Sequence, residues 1–145
     1  MEREPFGFTG EHYRFEPMTF RPTPVQRPRI PIWVVGSWPN ERSMTRAARW
    51  DGLIGQSGMD GGRVVEWSPP EVARAAAWVA ARRPAGSGPY DIIAQGSTPP
   101  VQPRESWGEV EPWATAGATW WIEADWEHGT VDAIRRRIEA GPPRP

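Results

Sequence analysis

At 145 residues with a formal net charge of −1, the chain is one domain's worth of sequence and carries no electrostatic footprint for nucleic acid, its 17 arginines being interspersed with 18 acids. The absence of cysteine excludes a disulfide framework, thiolate chemistry and a Cys-based metal site. No apolar stretch approaches the ~20 residues that span a bilayer, and the charged start MEREP is unlike a signal peptide, so a cytoplasmic protein without a membrane partner is expected.

Residues 1–29 form a proline-rich arm. Pro5, Pro17, Pro22, Pro24 and Pro28 interrupt any regular pattern, and Phe6, Phe8, Tyr13, Phe15 and Phe20 lie between them. Proline at this density predicts an irregular, extended segment whose aromatics pack on something. Residues 30–141 then alternate strand and helix signals, and residues 142–145 (PPRP) read as a frayed tail.

Four short apolar runs, Ile32–Val35, Leu53–Ile54, Tyr90–Ala94 and Thr119–Glu123, are flanked by Gly or Pro. They read as parallel strands covered on both faces. Asn40 caps a first helix carrying Met44, Ala47 and Ala48. Ser68-Pro69-Pro70-Glu71 combines a capping box with proline at the first helical position. Behind it Val72, Ala75, Ala76, Val79 and Ala80 make one apolar stripe. A helix is predicted over 109–116, although Pro112 sits inside it, and Thr130 caps a last helix ended by Gly141-Pro142. Strand–helix alternation of this kind predicts βα units on a parallel sheet, and four of them are half of an eight-stranded barrel.

Core material is unusual. Leu53 is the only leucine, and Leu, Ile, Val and Phe together make up about 16% of the chain. Ten tryptophans and many alanines must therefore supply the core. Trp33, Trp120 and Trp121 fall inside strand signals and read as core rather than as a sugar-stacking row.

Candidate chemistry centres on the turn after the first predicted strand. Gly36 permits an unusual backbone angle and close ligand approach. Ser37 offers a hydroxyl, and the amides of residues 40–43 open a helix toward the strand's C-terminal end, an arrangement suited to phosphate. His12 is the more chemical of the two histidines, a residue type able to relay a proton, or else a loop histidine bonded to backbone. His128 reads as surface structure. Glu123, Asp125 and Glu127 alternate after the last strand, but no converging partner makes a metal site, and none is expected. Asp60-Gly61-Gly62-Arg63 reads as a tight turn; it lacks the lysine and spacing of a P-loop.

The order FxGxHYxF (Phe8, Gly10, His12, Tyr13, Phe15), a proline-rich stretch, RPRIPIWVVGSWP, RAARWDGLI and AGATWWIEADWE resembles the luciferase-like monooxygenase family of flavin- or deazaflavin-dependent oxidoreductases. The resemblance runs from about Phe6 to Ile138 and corresponds to the C-terminal half of that family's (β/α)8 TIM barrel. It implies FMN or the deazaflavin coenzyme F-420 as cofactor and a small organic substrate. Gly36, Ser37 and Trp38 are implied to contact the cofactor, and His12 to lie in the arm near the active-site mouth. Val35 stands where many members carry the first glycine of a pair. The family's first four βα units have no counterpart here. Self-association or a complementary N-terminal half is therefore expected, the alternative being a non-catalytic fragment or binding subunit.

Overall fold

The computed structural model describes residues 4–22, 24–60, 63–65, 67–125 and 129–145. The chain divides into two compact units on either side of the Ile30–Pro31 junction.

The first unit is not wholly irregular. Strands β1 (Phe6–Thr9) and β2 (Arg14–Met18) pair antiparallel, with Phe8 opposite Phe15. The Gly10 amide donates to the Tyr13 carbonyl at 2.9 Å across the connecting turn. Aromatic pairing overrides the proline signal: Phe15 meets Phe6 edge-on at 5.5 Å and stacks on Phe8 at 6.1 Å. Pro17 is tolerated because a two-stranded ribbon is all edge, and the register shifts opposite it between Phe6 and Phe8.

The second unit opens with β3 (Trp33–Ser37), α1 (Glu41–Ala47) and β4 (Gly52–Gln56). A small antiparallel hairpin follows, β5 (Gly58–Asp60) with β6 (Arg63–Val65), and then α2 (Pro69–Ala80). The chain continues with β7 (Asp91–Gly96), α3 (Pro103–Thr115), β8 (Trp120–Glu123) and α4 (Val131–Ala140). The expected turn at Gly61-Gly62 lies outside the described residues; the strands on either side of it pair. The main sheet is four-stranded and wholly parallel, in the order β3-β4-β7-β8.

Register sorts the side chains onto two faces. Val34, Leu53 and Ile92 are aligned and belong to the core under the helices, with Met44, Ala47, Trp67, Val72, Ala75 and Val79. The stripe on α2 thus turns inward as its spacing predicts, and the single leucine is fully buried. Val35, Ile54, Ile93 and Trp120 form the aligned row on the opposite face. There Ile93 is buried, but Val35 is 47% and Trp120 53% exposed. Trp120 is therefore not the core residue the strand signal predicts; its face of the sheet is partly open.

Helix ends follow the caps. Asn40 Oδ1 accepts the Ser43 amide at 3.0 Å, and Thr130 Oγ1 accepts that of Ala133 at 3.2 Å. The third helix is longer than its sequence suggests, because it begins at Pro103, where a missing N–H costs nothing. Pro112 lies inside the helix, in its last turn, where it removes the N–H that would bond the Gly108 carbonyl. The stripe on α4 is exposed, with Val131 at 73%, Ile134 at 51% and Ile138 at 73%. Within residues 142–145, Arg144 donates its backbone amide to the Pro103 carbonyl at 3.1 Å.

Candidate functional site

Three polar constellations gather at the C-terminal ends of the parallel strands, the end at which ligands bind in open α/β sheets. The first is the turn after β3. Gly36 has no positive φ and sits in regular extended pairing with Gly55. Its missing side chain answers to packing: a Cβ there would come 2.3 Å from Leu53 Cδ1 and 3.4 Å from Met44 Sδ. The glycine thus lets α1 and Leu53 close on the strand, which corrects the expectation of an unusual backbone angle. Trp38 is half-buried against the same core, its amide donating to the Gln56 carbonyl at 2.8 Å, and the Trp38–Pro39 peptide is cis.

Most amides of this turn are already engaged. Ser37 N–H donates to Ser43 Oγ at 3.0 Å, Asn40 N–H to the Ser37 carbonyl at 2.9 Å, and Met44 N–H to the Asn40 carbonyl at 3.0 Å. With Ser43 N–H held by the Asn40 side chain, the donors left at this end of α1 among the described residues include the Glu41 and Arg42 amides and the Ser37 and Ser43 hydroxyls. Anion binding here has two backbone amides and two hydroxyls to draw on rather than the full row of amides the sequence suggests. His12 lies in the hairpin turn of the first unit, exposed to solvent.

Below β4, Glu71 completes the predicted capping box and extends it. Its carboxylate accepts from the Ser68 amide at 2.8 Å, Ser68 Oγ at 2.7 Å and Ser57 Oγ at 2.9 Å. These hydrogen bonds, those from Ser68 above all, hold the Glu71 carboxyl below its usual value against the opposing effect of burial. The group stays ionised and ties Ser57, just after β4, to Ser68 at the start of α2.

The third constellation is tied by Glu123 at the end of β8. Its carboxylate accepts from the Thr98 amide, from Thr98 Oγ1 at 2.9 Å and from Trp121 Nε1 at 3.1 Å. Arg137 of α4 approaches it to 3.8 Å and donates to the carbonyls of Pro99, at 2.9 Å, and Gly141. Its side chain is only 12% exposed. Sequence reading picked out Glu123 by its alternation with Asp125 and Glu127, but not its partners, which lie 25 and 14 residues away. Nothing local marks Thr98 or Arg137. Among the described residues no group of three or more His, Asp or Glu side chains is placed to hold a metal; Glu127 and His128 lie outside them. No helix among the described residues is long and apolar enough to cross a membrane.

No family model, curated protein or solved structure matches the chain.

Proposed function

We propose that this chain is the C-terminal half of a (β/α)8 barrel of the luciferase-like type, a flavin- or deazaflavin-dependent oxidoreductase acting on a small organic substrate once the barrel is completed. The strand order carries the reading. Four parallel strands, β3-β4-β7-β8, run in chain order and each leads into a helix. A doubly wound sheet reverses its order at a switch point, whereas a barrel adds each strand beside the last. The β5–β6 hairpin falls after β4, at the end where barrel enzymes carry the loops that shape their sites. The open row with Val35 and Trp120 is the face that four further strands would cover.

In this reading the Ser37 hydroxyl and the Glu41 and Arg42 amides hold the phosphate of FMN or coenzyme F-420, while Gly36 and Trp38 set the turn that presents them. The bound cofactor supplies the electron chemistry, oxygen activation by reduced FMN or hydride donation by the reduced deazaflavin. His12 holds or relays a proton. Among the described residues the outer edges of β3 and β8 pair with no further strand, and they call for completion by a second copy or by a separate N-terminal half.

The test is a tryptophan-quenching titration of the purified chain with FMN and, separately, coenzyme F-420, alongside light scattering. Saturable micromolar binding of one cofactor by a self-associated chain is the expected result. A sharp two-state monomer that binds neither overturns the half-barrel reading. A chain that binds neither until the first four βα units are supplied assigns it to a split enzyme.

A further inference from the structure

On the helix-covered side of the sheet, a cavity of about 770 Å³ opens between α3, α4 and the connection that follows β7. This is within the range of small-molecule pockets. Its walls are mostly apolar: Trp107 and Val110 from α3, Trp121 from β8, Ile134 and Ile138 from α4, and Pro142 beyond it. Trp121 is held in place by Trp113, at 5.6 Å between ring centres, and by its indole bond to Glu123. The fixed Trp121 indole, a second indole from Trp107 and two branched aliphatic chains make a slot suited to hydrocarbon or to a flat ring.

The charges on the wall leave one cation over. Glu123 and Arg137 face each other and are further satisfied by Thr98, Pro99 and Gly141. Asp125 also lines the cavity and has an interaction of its own. Arg136 lines it too, is exposed, and makes no ion pair among the described residues. A guanidinium beside an apolar slot matches a carboxylate in a fork of two parallel hydrogen bonds.

We propose that this cavity binds a small apolar carboxylic acid, its hydrocarbon between Trp107, Trp121 and Ile134 and its carboxylate on Arg136. The site does not rest on the flavin reading. It lies on the helix side of the sheet, whereas a barrel's interior would be formed by the opposite face.

Decanoate and the neutral 1-decanol are the probes, followed by tryptophan fluorescence and calorimetry on the full chain, with far-UV circular dichroism checking that each variant is folded. Decanoate is expected to bind saturably and at least ~10-fold more tightly than 1-decanol. Arg136→Gln should erase that preference by weakening the acid alone, and Ile134→Trp should block both by filling the slot. Added salt should weaken the acid and spare the alcohol. Equal affinity for the two probes, an unchanged acid preference in Arg136→Gln, or no saturable binding by the folded chain each overturns the proposal. Arg136 is exposed, so its variant keeps the test decisive if Ile134→Trp does not fold.

Discussion

Trp33 and Trp120 stand on the two edge strands of the sheet, yet their rings meet at 5.2 Å, inclined by 57°. Two strands lie between them, so the contact spans β4 and β7. Trp33 donates its indole N–H to Asp91 Oδ2 at 3.2 Å and lies over Gly52, where a Cβ would fall 2.5 Å from its Cδ1 and 2.9 Å from the Asp91 carbonyl oxygen. The pair clamps the first strand to the last across a bare glycine. A double-mutant cycle of Trp33→Ala and Trp120→Ala should show a coupling of about 0.5–1.5 kcal/mol. Gly52→Ala should destabilise by about 1–3 kcal/mol in urea unfolding. Additive single mutants would show that the rings touch without holding anything.

Glu71 makes acid stability depend on one carboxylate. Its folded pKa is lowered, so the unfolded chain binds the proton more readily. The stabilisation is present above the ordinary carboxylate value and is lost as pH falls through the lowered one. Glu71→Gln should cost about 1 kcal/mol at neutral pH. In urea unfolding at stepped pH, the gap between wild type and variant should narrow below pH 4.5. A gap constant down to pH 3 would contradict the assignment.

Tyr90 gives the opposite sign at the other end of the scale. Burial pushes its phenol up to about 12, partly offset by the Arg83 guanidinium over its ring at 4.6 Å. Its hydroxyl is buried with no hydrogen-bond partner among the described residues. Above pH 10 the unfolded phenol loses its proton while the folded one keeps it, so stability should fall from about pH 10 to about pH 12. Tyr90→Phe should flatten that fall and be neutral or stabilising at pH 7, because it removes an unsatisfied buried group. Alkaline denaturation curves of the two proteins decide it.

Ser37 tests the proposed cofactor turn. Its hydroxyl is one of the uncommitted donors beside α1, and Ser37→Asp would place a negative charge among them. Loss of binding of FMN or coenzyme F-420 by more than ~100-fold, with unfolding unchanged, is the expected outcome. Unaltered affinity would move the phosphate elsewhere.

Much of the fold was legible because its signals are local. Apolar runs bounded by Gly or Pro marked the four parallel strands, and Asn40, Ser68 and Thr130 marked helix starts by groups that bond three residues on. The start of α3 is equally local, in Gln102-Pro103, but Pro112 inside the helix breaks the helical pattern behind it. The first-unit hairpin stayed hidden because phenylalanine contacts across strands outweighed the prolines. The candidate sites were legible only in part. Gly36 was noticed for conformational freedom, whereas its use is packing room, which depends on Leu53 and Met44. The Glu123–Thr98–Arg137 knot joins three separate segments, and no spacing announces such a meeting.

The strand order also bears on how the sheet comes into being. Each strand pairs with the one laid down just before it in its sheet, Trp33 with Gly52, Gly52 with Asp91, Ile93 with Trp120. No strand of the four has to wait for a distant part of the chain, so pairing can follow synthesis from one end. A nascent chain halted after Gly96 would already hold the β3–β4 and β4–β7 pairings, with only the outer edge of β7 still awaiting β8. The last strand adds a member to the sheet and, through Trp120, the clasp that reaches back to the first.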